Sequence, residues 1–203
     1  GGTFDPKYLV ATDGTIFATT FNGLRISRDG GCTFTTATAE QAAGTPGRIA
    51  EIWVNAIDLG PAGEVWVGTA DSGTTNALYR SMDGGRTFEV RGSLPPMILW
   101  KSMRIAPSDG MRVYAAGFEI AGSPIGHFYR STDAGATWMP SPLVGVMFGT
   151  SPALEVVGVD PSDPDIVYLL SAESNANGDG DRLYRSSDGG ATLSEVLATS
   201  APV

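Results

Sequence analysis

The chain has 203 residues and 21.1 kDa, with 42% hydrophobic and 9% aromatic residues, which suits one compact folded unit rather than a disordered chain. Thirteen Lys and Arg stand against 22 Asp and Glu, a net charge of −9, so a phosphate backbone is not an expected partner. A single cysteine, Cys32, excludes an internal disulfide and a cysteine-built zinc site, and no run of 18 apolar residues predicts a membrane span.

In chain order, short β-rich runs alternate with turn signals. The innermost predicted strands are Tyr8 to Ala11, Ile52 to Ile57, Met103 to Ala106 and Val156 to Val159. Second strands follow at Ile16 to Thr20, Val65 to Thr69, Val113 to Gly117 and Ile166 to Ser171. The turns between them are Thr12-Asp13-Gly14, Pro61-Ala62-Gly63, Pro107-Ser108-Asp109-Gly110 and Pro161-Ser162-Asp163-Pro164. Third strands end in Tyr79-Arg80, Tyr129-Arg130 and Tyr184-Arg185, and each is followed by one recurring octet.

The octets begin at Ser27, Ser81, Ser131 and Ser186 and read Ser-x-Asp-x-Gly-x-Thr-aromatic, with Leu193 the one lapse from an aromatic. Their spacings are 54, 50 and 55 residues, and no stretch of ten or more residues carries a helical apolar period. Each unit is therefore a predicted four-stranded antiparallel meander of about 50 residues, with boundaries near 1–40, 48–94, 99–143 and 153–199. A lone meander would expose two apolar faces, whereas stacked meanders bury them at roughly 25 cal/mol per Å².

The octets resemble the Asp-box (BNR) repeats of sialidase-like, sortilin-like, xyloglucanase-type and photosystem-assembly propellers. The resemblance covers nearly the whole chain and implies an all-β propeller of four four-stranded blades, part of a larger ring. In that family the octet is the hairpin between the third and fourth strands at the rim of the blade. Asp29, Asp83, Asp133 and Asp188 are expected to accept backbone N–H groups of their own turns. The glycine two residues on supplies a left-handed backbone, and Phe34, Phe88 or Trp138 plugs the blade beneath. Four acids on four blades form no catalytic or metal cluster, and Arg80, Arg130 and Arg185 are read as structural for the same reason.

The resemblance puts ligands at the channel mouth opposite these hairpins, where loops 70–77, 119–126 and 174–181 gather with Met97 to Lys101 and Val146 to Gly149. Aligning the inner strands on Ile57, Ile105 and Val159 makes Trp53, Lys101 and Glu155 equivalent, and with Trp100 and Phe148 they are the candidate ligand-binding residues. Ser174 to Asp181 resembles an oxygen-rich calcium loop through Asn177, Asp179 and Asp181, but Ser186 stands where the twelfth-position carboxylate belongs, so a polar hairpin loop is expected and no cofactor. His127 has no nucleophile to serve, and Asp160, Asp163 and Asp165 form a turn. Two functions remain open: a non-catalytic module binding a protein or carbohydrate, and a fragment of a glycoside hydrolase of xyloglucanase-like or sialidase-like type. For the latter, Ile52 to Asp58 is similar to xyloglucanase-type inner strands, while the sialidase Arg-Ile-Pro is absent because Ser27 follows Arg25-Ile26. An unfinished ring would also invite self-association or further blades. Few lysines and one thiol suit an extracellular or periplasmic setting.

Overall fold

The computed structural model describes residues 6–37, 49, 52–70, 76–95, 97–119, 125–146, 152–173 and 180–199. Among the described residues, sixteen strands form four antiparallel sheets of four, each a meander in chain order. Blade one comprises β1 (Tyr8–Val10), β2 (Ile16–Thr20), β3 (Gly23–Ser27) and β4 (Thr35–Thr36); blade two, β5 (Val54–Leu59), β6 (Val65–Thr69), β7 (Asn76–Ser81) and β8 (Glu89–Leu94). Blade three comprises β9 (Ile98–Ala106), β10 (Asp109–Glu119), β11 (Gly126–Ser131) and β12 (Met139–Pro140); blade four, β13 (Pro152–Val159), β14 (Val167–Glu173), β15 (Arg182–Ser186) and β16 (Ser194–Ala198). The four-residue turn predicted at Pro107 to Gly110 is shorter, because β10 already resumes at Asp109. Among the described residues there is no α-helix, and no helix is long and apolar enough to cross a membrane.

The box serines set the register. Ser27, Ser81, Ser131 and Ser186 lie opposite Ile16, Val65, Val113 and Val167, which in turn lie opposite Val10, Leu59, Ile105 and Val159. Leu59, not Ile57, is thus the blade-two counterpart of Ile105 and Val159. Each of the last three inner strands also carries a bulge, near Asn55, Lys101 and Val157. The alignment of Trp53, Lys101 and Glu155 therefore fails. Ala56, Ser102 and Glu155 share one level, Lys101 sits in the bulge above it, and Trp53 lies further out, its carbonyl accepting the Ala70 N–H.

The core lies between blades. Phe17, Leu24 and Ile26 of blade one pack on Val54, Val67, Tyr79 and Phe88 of blade two. Trp66 and Leu78 meet Met103, Ile105 and Val113 of blade three, and Tyr114 and Phe128 meet Val156, Leu169 and Tyr184 of blade four. Apolar alternation on both faces of each sheet is what this stacking consumes. Polar stitches run the same way: Arg28 donates to the Gly84 carbonyl at 3.3 Å, the Tyr114 hydroxyl to the Pro164 carbonyl at 2.7 Å, and Arg130 to the Gly189 carbonyl at 3.1 Å.

The box aromatics differ in their surroundings, and Trp138 lies against Gly135 of its own turn. Phe88 is buried in the core shared by blades one and two, whereas Phe34 of blade one stays 45% exposed. Tyr8 is 69% exposed, although its counterparts Ile57, Met103 and Val156 are buried.

Candidate functional site

All four boxes close on themselves in one way. The serine hydroxyl donates to the aspartate Oδ1 at 2.7–2.8 Å and accepts the N–H of the glycine four residues on at 2.8–2.9 Å. The threonine N–H donates to Oδ1 at 2.8–2.9 Å and its hydroxyl to Oδ2 at 2.6 Å. The threonine hydroxyl holds Asp29, Asp133 and Asp188 at a pKa of about 2, assisted by the threonine N–H and the serine hydroxyl. At Asp83 burial pushes upward, but Thr87 and Ser81 outweigh it and the result is again about 2. Every one of these bonds lies within its own hairpin, so each acid is spent locally.

Two of the arginines before the boxes are equally committed. Arg80 donates to Glu89 at 2.9 Å and lies 5.6 Å over the Trp66 ring, while Arg130 caps carbonyls of the next blade's box. Asp160 accepts Ser162, Asp163 accepts the Asp165 N–H, and Asp165 pairs with Arg112, which is turn and interblade chemistry. His127 stands 3.9 Å from Glu119, and Cys32 is exposed and free.

Of the candidate ligand residues, Trp100 is 1% exposed, edge-on to Tyr129 in the core between blades two and three, so it presents no surface to a ligand. The bulge at Lys101 places Trp100 rather than Lys101 opposite Gly117, so Trp100 takes the position that faces the blade stack. Trp53 is half-exposed and stacks obliquely on exposed Phe21, ring centroids 5.1 Å apart, on the face opposite the boxes. Phe148 lies outside the described residues, as do Asn177 and Asp179 and most of loops 70–77, 119–126 and 174–181. Asp181 is buried, its carbonyl accepting the Thr199 N–H, and among the described residues no three His, Cys, Asp or Glu gather to hold a metal.

Lys101 and Glu155 lie at the hub, where the inner strands converge. A cavity of about 370 Å³ there is walled by Lys7, Tyr8, Asp58, Lys101, Ser102 and Arg104, drawn from blades one, two and three. Glu155 of blade four reaches to its edge and pairs with Lys7, Oε1 to Nζ 2.9 Å. Two side chains on the inner strands cap N–H groups of the following blade: Asp58 Oδ2 accepts Ile105 N–H at 2.8 Å, and Ser102 Oγ accepts Val156 N–H at 2.6 Å. Burial pushes the Asp58 carboxyl up, against the Ile105 hydrogen bond and the Arg104 charge. Sequence reasoning missed Lys7, Asp58 as an interblade cap, and Arg104, because contacts between blades join residues far apart in the chain, 148 positions for Lys7–Glu155 and 47 for Asp58–Ile105, which strand patterning does not announce.

Four radially stacked four-stranded meanders around a polar hub define a portion of a β-propeller. No family model matches the chain. A xyloglucanase of Hypocrea jecorina (strain QM6a) is 34% identical over 107 residues, 49% of this chain and 12% of that protein. The GH74 xyloglucanase of Xanthomonas campestris superposes on 97% of this chain and 30% of its own, with a TM-score of 0.64 and 23% identity. A Hadza microbial sialidase superposes on 97% of this chain and 46% of its own, with a TM-score of 0.59 and 18% identity. The chain thus spans a minor part of the proteins it resembles, and the fold is that of sialidase-like and xyloglucanase-like propellers.

Proposed function

We propose that this chain is a four-blade part of an extracellular, carbohydrate-acting propeller of the Asp-box kind, similar to xyloglucanases, and that its blades contact the glycan rather than supply the reacting pair of acids. The identity shared with a xyloglucanase over 107 residues carries this reading. The hub supports the division of labour. Glycoside hydrolysis by the usual route needs two carboxyl groups facing one bond, whereas among the described residues a single carboxylate, Asp58, lines the hub cavity and is already bonded to Ile105. The box acids are locked in their hairpins. The exposed Phe21 ring and the partly exposed Trp53 ring offer apolar faces of the kind that sugar rings stack against.

Affinity electrophoresis in gels containing xyloglucan tests the reading, with reducing ends assayed in parallel. Retarded migration without new reducing ends is the expected result, and Trp53→Ala should abolish the retardation. Unretarded migration of the wild-type chain, or release of reducing ends by it, would contradict the proposal.

A further inference from the structure

The hub cavity holds an unusual share of the protein's positive charge. Three of 13 basic residues, Lys7, Lys101 and Arg104, wall one space of about 370 Å³ in a chain of net charge −9. Two of them are compensated: Lys7 pairs with Glu155 at 2.9 Å, and Arg104 faces Asp58 while donating to the Met103 carbonyl at 2.9 Å. Lys101 is half-buried and makes no hydrogen bond or ion pair with any described residue. Lys101 stands in the bulge of β9 and lines the cavity without an anionic partner among the described residues, which leaves its ammonium available to an anion from solution.

The rest of the wall narrows the ligand. Asp58 offers a hydrogen-bond acceptor, Ser102 a hydroxyl, and Tyr8 an exposed aromatic face at the rim. An anion bearing several hydroxyls satisfies all of these, and the volume lies in the range of small-ligand sites. We infer that the hub binds a hexuronate, a sugar acid whose carboxylate sits on Lys101 and whose hydroxyls meet Asp58 and Ser102. The site stands apart from the xyloglucan reading above, since a chain that never touches a neutral glucan could still hold an acid here.

Isothermal titration of the 203-residue chain at low salt, with sodium glucuronate, glucose and sodium acetate as separate ligands, decides it. Saturable glucuronate binding is expected, at least about tenfold tighter than glucose or acetate. Lys101→Gln should weaken it by about tenfold or more, Lys101→Arg should retain it, and added salt should weaken it. Lys101 lies outside the packed core, so both variants should keep the wild-type melting temperature. No heat with glucuronate, equal binding by Lys101→Gln, or acetate binding as tightly as glucuronate would each overturn the inference. Retardation by xyloglucan is scored separately: its loss with glucuronate binding intact counts against the proposed function alone, and the reverse counts against this site alone.

Discussion

The ring of Phe128 in blade three lies against Gly190 in the box of blade four, so closely that a Cβ built on Gly190 would overlap it. The same contact joins Leu78 to Gly135 and Phe17 to Gly85, so the box glycines of blades two, three and four are each the socket for an apolar side chain of the blade before. Among the described residues, Gly31 in blade one has only its own blade's Ile16, at 3.7 Å. The glycine thus does two jobs that a sequence motif merges: it takes a left-handed backbone, and it admits the neighbouring blade.

The two jobs separate by substitution. Gly31 and Gly190 have nearly the same backbone, φ +92° and +89°, so Gly31→Ala and Gly190→Ala suffer similar conformational strain. Only the second also drives a methyl into Phe128. Gly190→Ala should lose about 1–3 kcal/mol more than Gly31→Ala, the usual cost of overpacking a core. Urea denaturation of both variants checks this, and equal losses would remove the packing role.

Ser102 should matter more than its size suggests. Its hydroxyl receives the Val156 N–H across the blade three to blade four junction. Ser102→Ala leaves that buried donor without a partner and should cost about 1–3 kcal/mol. Ser102→Thr, which keeps the oxygen, should recover part of it in the same denaturation experiment.

Asp58 is held at the hub as an acceptor, and burial disfavours its charged form. Asn in its place keeps an oxygen for Ile105 N–H without a charge to desolvate. Asp58→Asn should therefore equal or exceed the wild-type melting temperature at pH 7, while Asp58→Leu should fall well below it. For an acid whose folded pKa is raised, stability declines as pH rises through that pKa. The advantage of Asp58→Asn should accordingly shrink toward pH 4, which thermal melts at the two pH values will show.

The boxes impose the opposite pH dependence. Their aspartates titrate at about 2 when folded, below the ordinary 3.8, so folding favours the ionised form. Their stabilisation is complete above about pH 4 and is lost as the pH falls toward 2. Thr137→Val, which removes the 2.6 Å hydroxyl contact to Asp133, should make the unfolding free energy less steep across that window and cost about 1 kcal/mol at pH 7.

Much of the fold is legible because its information is periodic. Four serines at near-constant spacing mark four hairpins, and alternation within the flanking runs gives Ile16–Thr20 and Val65–Thr69 with the bounds observed. The hub is not legible in this way. A bulge displaces every later side chain on its strand by one place, and no residue type announces the bulges near Asn55, Lys101 and Val157. Trp100 therefore reads as a ligand residue in sequence and is core in space, whereas Lys7, preceding the first strand, is joined to Glu155 across 148 residues. The serine and threonine hydroxyls on the box aspartate were also hidden, since spacing shows which residues recur and not which atoms they share.

Carbon-detected NMR titration of the aspartate carboxyl groups bears most directly on the boxes as closed structural turns. Asp29, Asp83, Asp133 and Asp188 should each titrate near pH 2, and added calcium should leave their shifts unmoved. Midpoints near 3.8, or a concerted shift of the four signals with calcium, would show acids free to bind a ligand and contradict the hairpin role.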